Sequence, residues 1–137
     1  MAGKRGAQGV IVGIGVDLVA IRRLAGMLER HGRRLLDRCF VSGEVERPSD
    51  PAHVAPLLAA KEAAFKALGT GWGSGVTWHD VVVTRDDDGT HRLALHGAAE
   101  RRATELGVSK THLTLAQEGD MATAIVLFEG SSGPRKP

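Results

Sequence analysis

Two acidic residues from separate stretches of the chain, Asp17 and Glu62, stand among glycines and lysines in a way that suits phosphate chemistry. Asp17 closes the run Gly13-Ile14-Gly15-Val16-Asp17, whose two glycines let another backbone approach closely. It falls where a strand gives way to a helix, so a helix cap is its ordinary alternative. Glu62 lies in Ala59-Ala60-Lys61-Glu62-Ala63-Ala64-Phe65-Lys66-Ala67-Leu68, an alanine-rich helical stretch. Lys66 follows Glu62 at i,i+4, the spacing of an ordinary solvated ion pair. Mg2+ prefers carboxylate oxygens and usually takes one or two of them, with phosphate and water completing the shell. Lysines beside such an ion neutralise phosphate charge. Asp17, Glu62, Lys61 and Lys66 thus form a candidate centre for Mg2+-assisted phosphoryl transfer. Gly69-Thr70-Gly71 after the helix offers N–H groups to a phosphate, or merely a C-cap. Gly13-x-Gly15 lacks the third glycine of a dinucleotide fingerprint, and no Walker A sequence is present.

A second feature is basic. Arg22, Arg23, Arg30, Arg33, Arg34 and Arg38 are interrupted by Glu29 and Asp37, a local charge of +4 over seventeen residues. Such a run suits a solvated helix face or a docking surface for an acidic partner. Base stacking on RNA is unsupported, because no aromatic residue interleaves the arginines.

The elements that must position these residues alternate along the chain. Val10–Val16 reads as a short strand. Val19 to about His31 carries apolar residues at helical spacing, and Gly32 stops it. Residues 33–40 continue as a second short helix or turn. Asp50 caps a helix with Pro51 in its first position, running to about Leu68. Asp80–Thr84 and Arg92–Leu95 flank Asp86-Asp87-Asp88-Gly89 as a hairpin. Ala98–Leu106 is helical and closed by Gly107. Thr111–Gln117 and Ala122–Phe128 form a last hairpin around Glu118-Gly119-Asp120. The expected fold class is α+β, a mainly antiparallel sheet packed with helices.

Composition narrows the class further. The 137 residues suffice for one domain, expected over 10–129. Residues 1–9 and 130–137 have the composition of flexible tails. One cysteine excludes a disulfide scaffold, and a net charge of +2 is too balanced for a polybasic nucleic-acid binder. The start lacks the apolar region of a signal peptide, and no apolar run approaches the ~20 residues that span a bilayer. A cytoplasmic protein with no membrane association is the expectation.

Taken together, Gly13-Ile14-Gly15-Val16-Asp17-Leu18-Val19, Arg23, Glu44, Ala59-Ala60-Lys61-Glu62-Ala63 and Lys66 to Gly71 resemble the holo-acyl-carrier-protein synthase family, the small 4'-phosphopantetheinyl transferases. The resemblance covers roughly residues 10–129. It implies that the phosphopantetheine arm of coenzyme A is moved onto a serine of an apo acyl carrier protein, releasing adenosine 3',5'-bisphosphate. It further implies Asp17 and Glu62 as Mg2+ ligands, and Asp17, Glu62 and Lys66 as the catalytic set. Glu62, or a water held by the metal, would help deprotonate the serine. Lys61, Lys66, Gly69, Thr70, Gly71 and Gln117 are implied as coenzyme A-binding. Arg22, Arg23, Arg30 and Arg33 are implied as the carrier-protein docking face. A homotrimer with sites between subunits is also implied.

This sequence departs from the family pattern in places. Ala116-Gln117 stands where a hydroxyl residue and a histidine are usual, and glutamine carries no charge near neutral pH. Val54-Ala55-Pro56-Leu57-Leu58 lacks the usual arginine, and Pro56 is expected to kink the helix or delay its start. Ala20 replaces a usual glutamate. These changes frame a second reading, a paralogue that binds a carrier protein or coenzyme A with little or no transfer.

Overall fold

The computed structural model describes residues 8–70 and 75–131. In chain order these form β1 (Gly9–Ala20), α1 (Ile21–His31), α2 (Arg33–Cys39), α3 (Pro51–Leu68), a 3-10 turn (Trp78–Asp80), β2 (Val81–Arg85), β3 (His91–Leu95), α4 (Gly97–Leu106), β4 (Val108–Glu118) and β5 (Met121–Ser131). All strand pairs are antiparallel. One sheet has the order β1-β5-β4, and β2 and β3 form a separate hairpin. The α+β expectation is met.

Several boundaries differ from the sequence reading. β1 does not stop at Val16. It runs to Ala20, because β5 supplies partners all the way from Ser131 opposite Gly9 to Met121 opposite Ala20. Gly9, Gly130 and Ser131 therefore lie in strands, although the composition placed them in tails. Asp17 sits inside β1 opposite Ala124, and it is not a helix cap. The start of α1 is served by the β4–β5 turn instead. Ile21 N donates to Asp120 O at 2.7 Å and Arg22 N to Asp120 Oδ1 at 2.9 Å.

α3 forms as its signals predict. Asp50 accepts from Ala52 N at 3.1 Å, Pro51 occupies the first turn, and Gly69 closes the helix at φ +67°. Pro56 lies within the helix and does not delay its start. Eleven α3 residues are buried, on every side of the helix. The helix lies against the inner face of the β1-β5-β4 sheet, where Ala122, Ala124, Val126 and Phe128 are fully buried. Gly13 and Gly15 explain the closeness of that packing. A Cβ at Gly15 would fall on the Ala63 carbonyl oxygen and 2.8 Å from Ala67 N, and one at Gly13 would fall on the Ala67 carbonyl oxygen. The two glycines thus bring the α3 backbone directly onto β1.

The other face of the sheet is uncovered. Alternation along β1 sends Ile14, Val16 and Leu18 outward at 61%, 53% and 62% exposure, and Ile125 of β5 lies beside Val16. Among the described residues no helix is long and apolar enough to cross a membrane.

Candidate active site

Alternation along β1 points Asp17 to the same face as Gly13 and Gly15, toward α3. There it meets Glu62 and Lys66, which stand one turn apart on the helix. Lys66 Nζ donates to Asp17 Oδ1 at 2.8 Å and to Val16 O at 3.0 Å. The Asp17 side chain is 11% exposed, whereas the Lys66 side chain is 57% exposed. Thr123 Oγ1 fixes the local strand by donating to Asp17 O at 2.9 Å.

The two carboxyl groups are in electrostatic conflict. Burial pushes the Glu62 carboxyl up to about 8, and the adjacent Asp17 carboxylate pushes the same way. Lys66 and Arg23 oppose the shift without cancelling it. Asp17 Oδ2 is buried and has no hydrogen-bond partner among the described residues. A buried, unsatisfied carboxylate oxygen beside a second carboxyl group is poorly stabilised by protein alone. A hard divalent cation would satisfy both, and two carboxylates match the number Mg2+ usually takes from a protein. The residues present therefore fit Mg2+. No cluster of three or more potential metal-ligating side chains occurs among the described residues, so the rest of the shell would come from substrate phosphate and water.

Other expected ligands are placed differently. Lys61, expected to bind coenzyme A, is fully buried. Its Nζ lies 2.9 Å from Glu44 Oε1 and donates to Trp78 O at 3.0 Å and Val81 O at 2.6 Å, so no donor is left for a phosphate. Gly69 and Thr70 also spend their amides locally. Gly69 N donates to Lys66 O and Thr70 N to Phe65 O, which closes α3 instead of cradling an anion. Gly71 lies outside the described residues.

Gln117 is exposed near the end of β4, on the strand farthest from β1 in this sheet. It lines a cavity of about 250 Å³ with Arg47, His53, Leu57, His91 and Leu115. The two departures at Leu57 and Gln117 thus meet in one place. Arg47 Nη2 donates to His53 Nδ1 at 3.2 Å, and burial together with the Arg47 charge lowers the His53 pKa. The sequence reading gave no role to Arg47, His53 or His91. The lone histidines and arginine carry no spacing signal, and only the fold gathers them. Glu44 belongs to the motifs that carry the resemblance, and nothing local in the sequence reveals its pairing with Lys61. Arg22, Arg23, Arg30 and Arg33 are exposed along α1 and α2, and Arg33 faces Asp37 at 3.8 Å.

Residues 13–126 match the family model described as the 4'-phosphopantetheinyl transferase superfamily. The holo-[acyl-carrier-protein] synthase of Halorhodospira halophila is 46% identical over 123 residues, 87% of this chain and 98% of that protein. Among solved structures, the holo-[acyl-carrier-protein] synthase of Neisseria meningitidis superposes with a TM-score of 0.77 at 28% identity, covering 87% of this chain and 98% of that one. The Bacillus anthracis holo-(acyl-carrier-protein) synthase in complex with CoA (3',5'-ADP) gives a TM-score of 0.68 at 30% identity, covering 88% and 98%. With nearly the whole fold and the Asp17–Glu62–Lys66 cluster inside the matched span, the chain belongs to the 4'-phosphopantetheinyl transferase superfamily.

Proposed function

We propose that this chain is a holo-acyl-carrier-protein synthase, transferring 4'-phosphopantetheine from coenzyme A to a serine of an apo acyl carrier protein in the cytoplasm. Similarity to synthases over 87–89% of this chain supports the activity. The observation that carries the assignment of the centre is the Asp17–Glu62 pair with its unsatisfied buried oxygen, Lys66 being held on the Asp17 side.

In the reaction the serine Oγ bonds to the phosphorus that bears pantetheine. The bond from that phosphorus to the bridging oxygen breaks, and adenosine 3',5'-bisphosphate leaves with the electron pair. Asp17 and Glu62 would hold Mg2+, which when bound screens the pyrophosphate charge. Lys66, held by Asp17 and Val16 O but largely exposed, presents a third N–H to a phosphate oxygen. Glu62 stands beside Asp17 at the centre, and its carboxylate is the acceptor for the serine proton, directly or through a water. The nucleophile belongs to the partner, so the chain needs no triad of its own. The exposed arginines of α1 and α2 offer an acidic carrier a complementary face.

The uncovered face of β1 and β5 supports self-association. Ile14, Val16, Leu18 and Ile125 form a contiguous apolar surface of the kind monomers rarely leave in water. A homotrimer with shared sites accords with this face, and with Gln117 standing away from Asp17 in a single chain.

The test is the mass of an apo carrier protein after incubation with the enzyme, coenzyme A and Mg2+. A gain of one phosphopantetheine that disappears in Asp17→Ala and Glu62→Ala is expected. Retained coenzyme A binding with no mass gain on any carrier would establish the binding paralogue suggested by Leu57 and Gln117.

A further inference from the structure

The largest fully buried side chain among the described residues is a lysine. Lys61 is encircled by directional partners: Glu44 Oε1 at 2.9 Å, Val81 O at 2.6 Å, Trp78 O at 3.0 Å and the Phe40 ring at 5.0 Å. Its partner is equally well held. Glu44 Oε1 also accepts from Val41 N at 3.0 Å, and Oε2 accepts from Val83 N at 2.7 Å. Both side chains are 0% exposed. The pair ties α3 to the segment after α2, to the 3-10 turn and to β2.

Such a device is costly, and an apolar pair of similar volume commonly stabilises a core equally well or better. Its position suggests what it supplies. Between residues 59 and 64 α3 reads Ala-Ala-Lys-Glu-Ala-Ala. Around this stretch the helix lies on Gly13 and Gly15. Alanine against glycine is a smooth contact, so along this stretch side-chain interdigitation constrains the roll of the helix less than it does at Val54, Leu57, Leu58 and Leu68. Glu62 projects from this same stretch. A carboxylate about 6 Å from the axis moves about 2 Å for a 20° roll. Ligand distances at a metal tolerate about 0.2 Å. Hydrogen bonds constrain direction where small-residue packing does not.

We infer that the buried Lys61–Glu44 pair is a positioning device that sets the roll of α3, and through it the separation of the Glu62 and Asp17 carboxylates. The inference rests on the reading of Asp17 and Glu62 as the cation site. Lys61 acts through Glu62 and touches no substrate.

The test compares wild type, Asp17→Asn and the double variant Glu44→Leu/Lys61→Met. Each coenzyme-free protein is titrated with Mn2+, read by the paramagnetic resonance of the free ion, alongside thermal melting. The double variant is expected to melt within a few degrees of wild type and to bind Mn2+ at least tenfold more weakly. Mn2+ affinity equal to wild type, with only the melting temperature changed, would overturn the inference and leave the pair a packing element. Absence of Mn2+ binding to wild type, unchanged in Asp17→Asn, would overturn the cation site itself and the inference with it. Should the double variant not fold, Glu44→Gln is titrated in its place. It keeps the volume and weakens the bond, and the same two affinities decide.

Discussion

The Glu62 carboxyl is held far above its ordinary range, which couples its protonation to stability. Its folded carboxyl is raised from an ordinary 4.5 to about 8. Between those values the folded state binds more protons than the unfolded state, so stability falls as pH rises through that window. Glu62→Gln removes the repulsion. Without metal it should melt with wild type below pH 4.5 and be more stable at pH 8, by about 1–2 kcal/mol once solvent screening of this half-buried group is allowed for. Mg2+ should reverse the order at pH 8, because only wild type gains binding energy. At a concentration a hundred times Kd that gain is ~2.7 kcal/mol. Thermal melts at the two pH values, with and without Mg2+, check both signs. Gln117→His restores a titratable donor to a cavity that already holds Arg47, His53 and His91. It should lower the KM for coenzyme A about tenfold, the worth of one charge-assisted hydrogen bond of ~1.4 kcal/mol. Steady-state kinetics against coenzyme A is the check, and an unchanged KM would remove Gln117 from the binding surface.

At the scale of elements, the glycines of β1 and α1 answer to different physics. Gly15→Ala places a Cβ against the backbone of Ala63 and Ala67, which cannot give way without lifting α3 from the strand. A loss of about 3 kcal/mol or more is expected by denaturant unfolding, with transfer activity lost in parallel. Gly26→Ala in α1 meets only the end of the Arg30 side chain at 3.3 Å, which can move. That substitution should gain up to ~1 kcal/mol, as alanine does over glycine within a helix. The elements were legible where local chemistry alone decides them. Asp50, Pro51 and Gly69 bracket α3, and Gly119 marks the final hairpin, because caps and turns are set within a few residues. The extent of β1 was not, since its last four residues are ordered by β5, about a hundred residues away. The site follows the same division. Acidic and basic residues with helical spacing pointed to Asp17, Glu62 and Lys66. The burial of Lys61 could not be read, because its neighbour Glu62 looks equally polar and only the partner Glu44 separates the two.

For the whole molecule, the exposed apolar face makes assembly the property most open to test. Val16→Lys puts a charge at the centre of that face, opposite Ile125, without touching the inner side that carries Asp17. Sedimentation should show a shift from oligomer to monomer, while the melting of secondary structure persists. Activity should fall with the assembly if sites are shared between subunits. An unchanged sedimentation coefficient would locate self-association elsewhere.

The pairing of β1 with β5 also has a consequence for how the protein is made. Among the described residues the first strand, β1, finds its hydrogen-bonding partner only in the last, β5, and Asp17 lies in that first strand. Until residues near 131 have emerged, Gly13 and Gly15 have no completed sheet from which to receive α3. The carboxylate pair therefore has no stable precursor in a nascent chain, and such long-range closure is intrinsically slow. The cation site and the finished fold should appear together, in a single event.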